Sequence, residues 1–199
     1  MRIEIVAFDG VDALDVVAPW EVFARAATID PSLQVAVVRV DGTGPIVAAN
    51  GLRLGVDTVL GSPDALLVPG GGWVDGADTG VRREIARGAL PRAVAELSPS
   101  LRWVASVCTG GLLLGAAGLL RDRDATTNPA AFEELSRYGA RVHSDRVVDD
   151  GDLITAGAVA SGFDLALWLV GRECGVATAR SVADAIAYPM PTRVWERAQ

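Results

Sequence analysis

The stretch Ser106-Val107-Cys108-Thr109-Gly110-Gly111 puts a thiol where a short apolar run meets a glycine pair and a helical pattern. A cysteine at a strand–turn–helix junction is placed like the nucleophile of an elbow. The helix N-terminus is then expected to lower the thiol pKa. The backbone N–H of Thr109 is expected to turn toward a developing oxyanion. The competing reading is a small apolar residue packed into a core. Cys174, near the end of another helical pattern, reads as structural, because a helix C-terminus disfavours thiolate.

A cysteine nucleophile needs a partner that moves a proton. The one histidine, His143, lies in "RVHSDRVV", where alternation puts it beside Asp145 on a solvated face. A Cys–His dyad is therefore not expected. The loop after the first strand offers Asp9, Asp12 and Asp15. Asp15 sits in the apolar "ALDVVAP", where desolvation raises a carboxyl pKa and a neighbouring thiolate would raise it further. Such a group can serve as general acid. A plain helix N-terminal acid is the rival reading, and Asp12 fits that capping role better.

The loop "VPGGGW" (68–73) supplies backbone N–H groups after a strand. It is a poor dinucleotide fingerprint, since no helix follows promptly and no acidic residue ends a later strand at the right distance. Trp20, Trp73 and Phe132 read either as pocket walls or as core.

The elements that must hold these residues alternate. Strands are expected over 2–8, 33–40, 64–68 (running on into the glycine loop to 72) and 101–107. Helices are expected over 12–27, with Pro19 in its first turn, and over 81–97, bent near Gly88 and Pro91. Further helices are expected over 110–120, 129–139, 161–174 and 177–188. Asn50-Gly51 breaks 44–60 into a hairpin-like excursion, and 141–157 reads as a β-hairpin turning at Asp149-Asp150-Gly151. The alternation implies an α/β protein: a flavodoxin-like three-layer sandwich, its mainly parallel sheet covered by helices on both faces, with a nucleophile elbow at Cys108. One domain over 1–199 is expected. Ligands of such sheets bind beyond the carboxyl ends of strands, where the loops "FDGVDALD", "PGGG" and "CTGG" fall.

Composition narrows the chemistry. The net charge of −7 over 199 residues, without a basic cluster, argues against nucleic acid and against an anionic membrane surface as partners. All 18 basic residues are arginine. That excludes a lysine Schiff base and a lysine-bearing phosphate loop. One histidine and two distant cysteines argue against a metal site, and no cofactor is expected. A strand at the very start, rather than a leader, gives a cytoplasmic, reducing location as the expectation. The uncharged run at Cys108 falls short of the roughly 20 residues of a membrane span.

Taken together, "ALDVVAPWEVF", "ALLVPGGG", "SVCTGGLLLGAAGLL", "ATTNPAAFEEL" and "ITAGAVASGFDLAL" resemble the ThiJ/PfpI superfamily over residues 2 to about 188. They are most similar to its isonitrile hydratase-like branch. The resemblance implies a homodimeric flavodoxin-like protein with Cys108 as nucleophile and Asp15 as the acid at its sulfur. It implies Gly71 and Thr109 as backbone donors to an oxyanion or water. The implied reaction is isonitrile hydration to an N-substituted formamide through a thioimidate on Cys108, with a small molecule as substrate. Asn128 departs from the pattern, standing where histidine is common. Asparagine cannot shuttle protons near neutral pH, which weakens a glyoxalase or amidase reading. Asn128 either orients substrate or holds its loop. The remaining alternative is a redox or stress sensor with an oxidisable Cys108.

Overall fold

The computed structural model describes residues 1–197. In chain order the elements are β1 (Arg2–Val6), α1 (Ala13–Ile29), β2 (Gln34–Arg39), β3 (Ile46–Val47), β4 (Arg53–Leu54), β5 (Thr58–Val59) and β6 (Ala65–Val68). Then come α2 (Val81–Arg87), α3 (Ala89–Leu97), β7 (Trp103–Val107), α4 (Gly110–Ala116), β8 (Asp124–Ala125), α5 (Phe132–Arg137) and β9 (Arg141–Val142). The chain closes with β10 (Val147–Asp149), β11 (Leu153–Ala156), α6 (Ser161–Cys174), α7 (Val176–Ala185) and β12 (Val194–Glu196).

Eight strands form one sheet in the order β12-β10-β11-β7-β6-β1-β2-β5. All neighbours pair in parallel except β10 with β11. Strands β6, β7 and β11 are buried along their whole length, as strands covered on both faces must be. Helices α1, α6 and α7 pack together as one layer, and α2 to α5 form the other. This is the flavodoxin-like α/β sandwich expected from the alternation. The register sets Val68 beside Ser106 and Val107 beside Ala156. The ends of β1, β6, β7 and β11 therefore open into one loop cluster.

Several local expectations need correction. Pro19 is the seventh residue of α1, not part of its first turn. Its ring removes the helical bond to the Asp15 carbonyl. A Cβ on Gly162 of α6 would stand 3.4 Å from Pro19 Cδ, so small residues let the two helices close here. The 81–97 segment is two helices rather than one bent helix, because Gly88 takes a left-handed φ of 72°. Helix α4 stops at Ala116, four residues early, with Gly118 at φ 82° just beyond. The hairpin spans only β10 and β11. Arg141–Val142 instead pairs in parallel with β8 as a separate two-stranded sheet. Strand β12, parallel to β10, lies in a stretch where no element was expected.

Candidate active site

Cys108 sits between β7 and α4 with φ 54°, a left-handed conformation that a non-glycine residue rarely adopts. Sharp turns at functional sites store this kind of strain only when their surroundings fix it. Here the peptide is pinned at both ends. Its N–H faces the Gly157 carbonyl at 2.8 Å and the Ala156 carbonyl at 3.1 Å. Its carbonyl accepts from the buried Thr127 hydroxyl at 2.6 Å.

The glycine loop fits against this elbow with no room for side chains. A Cβ on Gly70 would lie 2.5 Å from Thr109 N, and one on Gly110 would lie 2.1 Å from the Val68 carbonyl oxygen. The first loop closes the third side, where Asp12 N–H donates to the Gly70 carbonyl at 2.8 Å. Asp12 also caps α1, its Oδ1 accepting from Leu14 N–H at 3.0 Å. With the cap taken by Asp12, Asp15 on the next part of the helix is free to point inward, and it is fully buried.

One oxygen of Asp15, Oδ2, accepts from Gly70 N–H at 3.0 Å. The other, Oδ1, lacks any partner of good hydrogen-bond geometry. The Cys108 thiol is nonetheless near enough to stabilise the carboxylate. No cation offsets the burial. The Asp15 pKa is held well above the ordinary carboxyl value by desolvation first and by the Asp12 carboxylate second. The Gly70 N–H and the thiol act in the opposite direction. Desolvation is thus the leading cause, as expected; the neutral thiol lowers the Asp15 pKa as a hydrogen-bond donor, whereas the charge–charge effect between carboxylate and thiolate is repulsive.

The thiol also departs from expectation. Its pKa is not lowered by the helix but pushed up to about 11, by burial first and by the Asp15 carboxylate second. A two-turn helix does not outweigh these two effects. The Asn128 amide and the backbone N–H groups of Val159 and Thr109 pull the other way, and all three favour sulfur that carries charge. Asp15 and Cys108 titrate as a pair, and the last proton leaves only in the alkaline range.

Asn128 has a defined orientation. Its Oδ1 accepts from Ala130 N–H at 3.0 Å, capping a short 3-10 turn, so Nδ2 is the end that faces Cys108 Sγ, at 3.4 Å. Loop-holding and sulfur contact are therefore done by the same side chain. Gly71 N–H donates to Thr109 Oγ1 at 3.0 Å. It is engaged within the turn, contrary to its expected place as a free oxyanion donor. Val159 N–H occupies a comparable place at the sulfur. Its side chain gives no signal for this, because the contact is made by backbone. Thr127, equally unforeseen, was legible only as part of "ATTNP".

Cys108 opens on a cleft of about 310 Å³, walled in part by Asp12, Trp73, Asp75, Asn128 and Val159. Trp20 and Phe132 do not line it. Asp15, fully buried, is in reach of the sulfur but is not part of the cleft wall. His143 is elsewhere as well. Its Nε2 is 2.6 Å from Asp124 Oδ1 and its ring lies 4.4 Å from Trp195, so it is half-buried rather than solvated beside Asp145. Among the described residues, no group of three or more His, Cys, Asp or Glu side chains could hold a metal ion. Among the described residues, likewise, no helix is long and apolar enough to cross a membrane.

Residues 1–172 match the DJ-1/PfpI family. An isonitrile hydratase of Pseudomonas putida is 35% identical over 195 residues, 96% of this chain and 80% of that protein. A ThiJ/PfpI family protein from Pseudomonas syringae superposes with a TM-score of 0.82 at 25% identity, over 96% of this chain and 76% of that one. The DJ-1 protein of Schizosaccharomyces pombe superposes at 0.79 with 19% identity, over 95% of this chain and all of that one.

Proposed function

This chain belongs to the DJ-1/PfpI family, and from that premise we propose that it is a cysteine-dependent hydratase of small carbon–nitrogen electrophiles, converting isonitriles to N-substituted formamides. The observation that carries the reading is the buried Asp15 carboxyl, without a counter-cation, beside the Cys108 thiol, with an amide in place of an imidazole at the sulfur.

An isonitrile carbon is attacked by sulfur and must gain a proton on that same carbon. The pair supplies both. With one proton between them, the sulfur forms the C–S bond as Asp15 delivers its proton to the carbon, leaving an S-linked thioimidate and a carboxylate. Water then adds across the C=N bond, placing hydroxyl on carbon and hydrogen on nitrogen, with Asp15 relaying the proton. The C–S bond breaks, the hydroxyl proton returns to Asp15, and the formamide leaves. Net consumption is one water. Asn128 Nδ2 and the N–H groups of Val159 and Thr109 stabilise sulfur each time it carries charge.

The P. putida relative, an isonitrile hydratase by name, supports this reading. A redox-sensing role has one observation in its favour: the same donors around sulfur would hold a sulfinate. Oxidation and isonitrile attack both need thiolate, so a buried thiol pushed up to about 11 weighs equally on the two readings. Purified protein supplied with alkyl and aryl isonitriles is expected to release formamide, and Cys108→Ala to release none. No formamide from the parent protein across such a panel would overturn the assignment.

A further inference from the structure

We propose that the cleft is charge-selective, taking electrophiles whose far end is positively charged and excluding those that end in a carboxylate. The proposal rests on the cysteine reading only in that Cys108 is the attacking group. It names the substrate class that this opening admits.

The cleft is lined by two carboxylates, Asp12 from the first loop and Asp75 from the segment after the glycine loop, and by no arginine. Among the described residues, neither carboxylate has an ion-pair partner. Asp12 spends Oδ1 on the Leu14 N–H at 3.0 Å, and Asp75 spends Oδ1 on the Ala77 N–H at 3.4 Å. In each case the second oxygen has no cationic partner. Arg82 lies over the Trp73 ring at 4.0 Å. Its Nε and one terminal nitrogen are committed to the Trp73 carbonyl, at 3.3 and 3.1 Å. A concave site with low-dielectric walls and charge of one sign concentrates ions of the opposite sign and repels its own. An electrophile reaching Cys108 through this cleft shares it with Asp12 and Asp75. An ammonium at its trailing end would rest between them, whereas a carboxylate there would meet both.

Charge-matched thiol reagents test this without requiring turnover. In a Cys174→Ser protein, Cys108 is the sole thiol. A trimethylammonium-bearing methanethiosulfonate and its sulfonate-bearing counterpart are compared, each rate divided by that for 2-mercaptoethanol. The cationic reagent is expected to label Cys108 about tenfold faster or more at low salt. The ratio should shrink as salt screens the rim. It should fall further in Asp75→Asn, and in Asp12→Asn, where asparagine preserves the helix cap. A ratio at or below one, or a ratio indifferent to both substitutions, would overturn the proposal. Parallel assays with an ammonium-bearing isonitrile and an isocyanoacetate separate the two claims. Absent turnover of every isonitrile counts against the hydratase, while equal labelling by both reagents counts against charge selection.

Discussion

Asp15 and Asp124 are both carboxyls drawn into the folded chain, and their surroundings send them in opposite directions. Asp124 accepts two bonds from Arg141 Nε at 3.1 Å, one from Arg141 Nη2 at 2.5 Å, and meets His143 at 2.6 Å. Its pKa is lowered, first by the Arg141 hydrogen bonds. Asp15 has one backbone N–H, one thiol and no cation, and its pKa is raised well above the ordinary value. Burial alone does not make a proton donor. Burial without a counter-charge does, and the chain places its one histidine with the carboxyl that is already neutralised. Asp124 is a fixed charge that fastens β8 to β9, while Asp15 is a proton store facing a nucleophile.

The largest effect expected from breaking this contrast is on turnover. Asp15→Asn keeps the shape and an acceptor for Gly70 N–H but removes the proton. Steady-state formamide production should fall about 100-fold or more. Asp124→Asn should lower the melting temperature while turnover by the folded protein stays close to that of the parent. If Asp124→Asn proved the more damaging to turnover, the roles would have to be exchanged.

Stability against pH separates the two carboxyls by sign. A raised pKa means the folded state holds its proton more tightly than the unfolded chain does. The Asp15 contribution is therefore full below the ordinary carboxyl range and is lost as pH rises through its folded value. Asp124, lowered, contributes above the ordinary range and loses that contribution as pH falls toward its folded value. Chemical denaturation at several pH values should show Asp15→Asn more stable than the parent at neutral pH. Asp124→Asn should be less stable there, the difference closing in acid. A smaller effect is expected at Asn128. Asn128→Ala removes one donor to sulfur and a turn cap, costing about tenfold in kcat/KM for isonitrile hydration. An unchanged kcat/KM would confine Asn128 to holding its loop.

Much of this layout is legible in the residues themselves. Apolar strands alternating with helices give the sheet, and Asp12 announces itself as a cap by standing before an apolar helical run. That frees Asp15 to be read as the inward acid. The elbow is visible because Gly110 and Gly111 follow a strand-end cysteine. The direction of the thiol shift was not legible. A helix N-terminus is a local feature, whereas burial and the Asp15 carboxylate arise from a contact between residues more than ninety positions apart. His143 was misplaced for a related reason. Alternation along 141–157 assumes one continuous hairpin, but Arg141–Val142 leaves it to pair with β8, which turns His143 toward Asp124. Backbone donors such as Val159 leave no side-chain signature at all.

The central claim, that Asp15 and Cys108 share their protons, is tested most directly by titrating the thiolate through its ultraviolet absorbance. The comparison is Cys174→Ser protein with and without Asp15→Asn. With Asp15 present, the sulfur should ionise only in the alkaline range, near the value of about 11 that burial and the carboxylate impose. Without it, the titration should shift down toward that of an ordinary thiol. A thiol that titrates in the same place in both proteins would contradict the account.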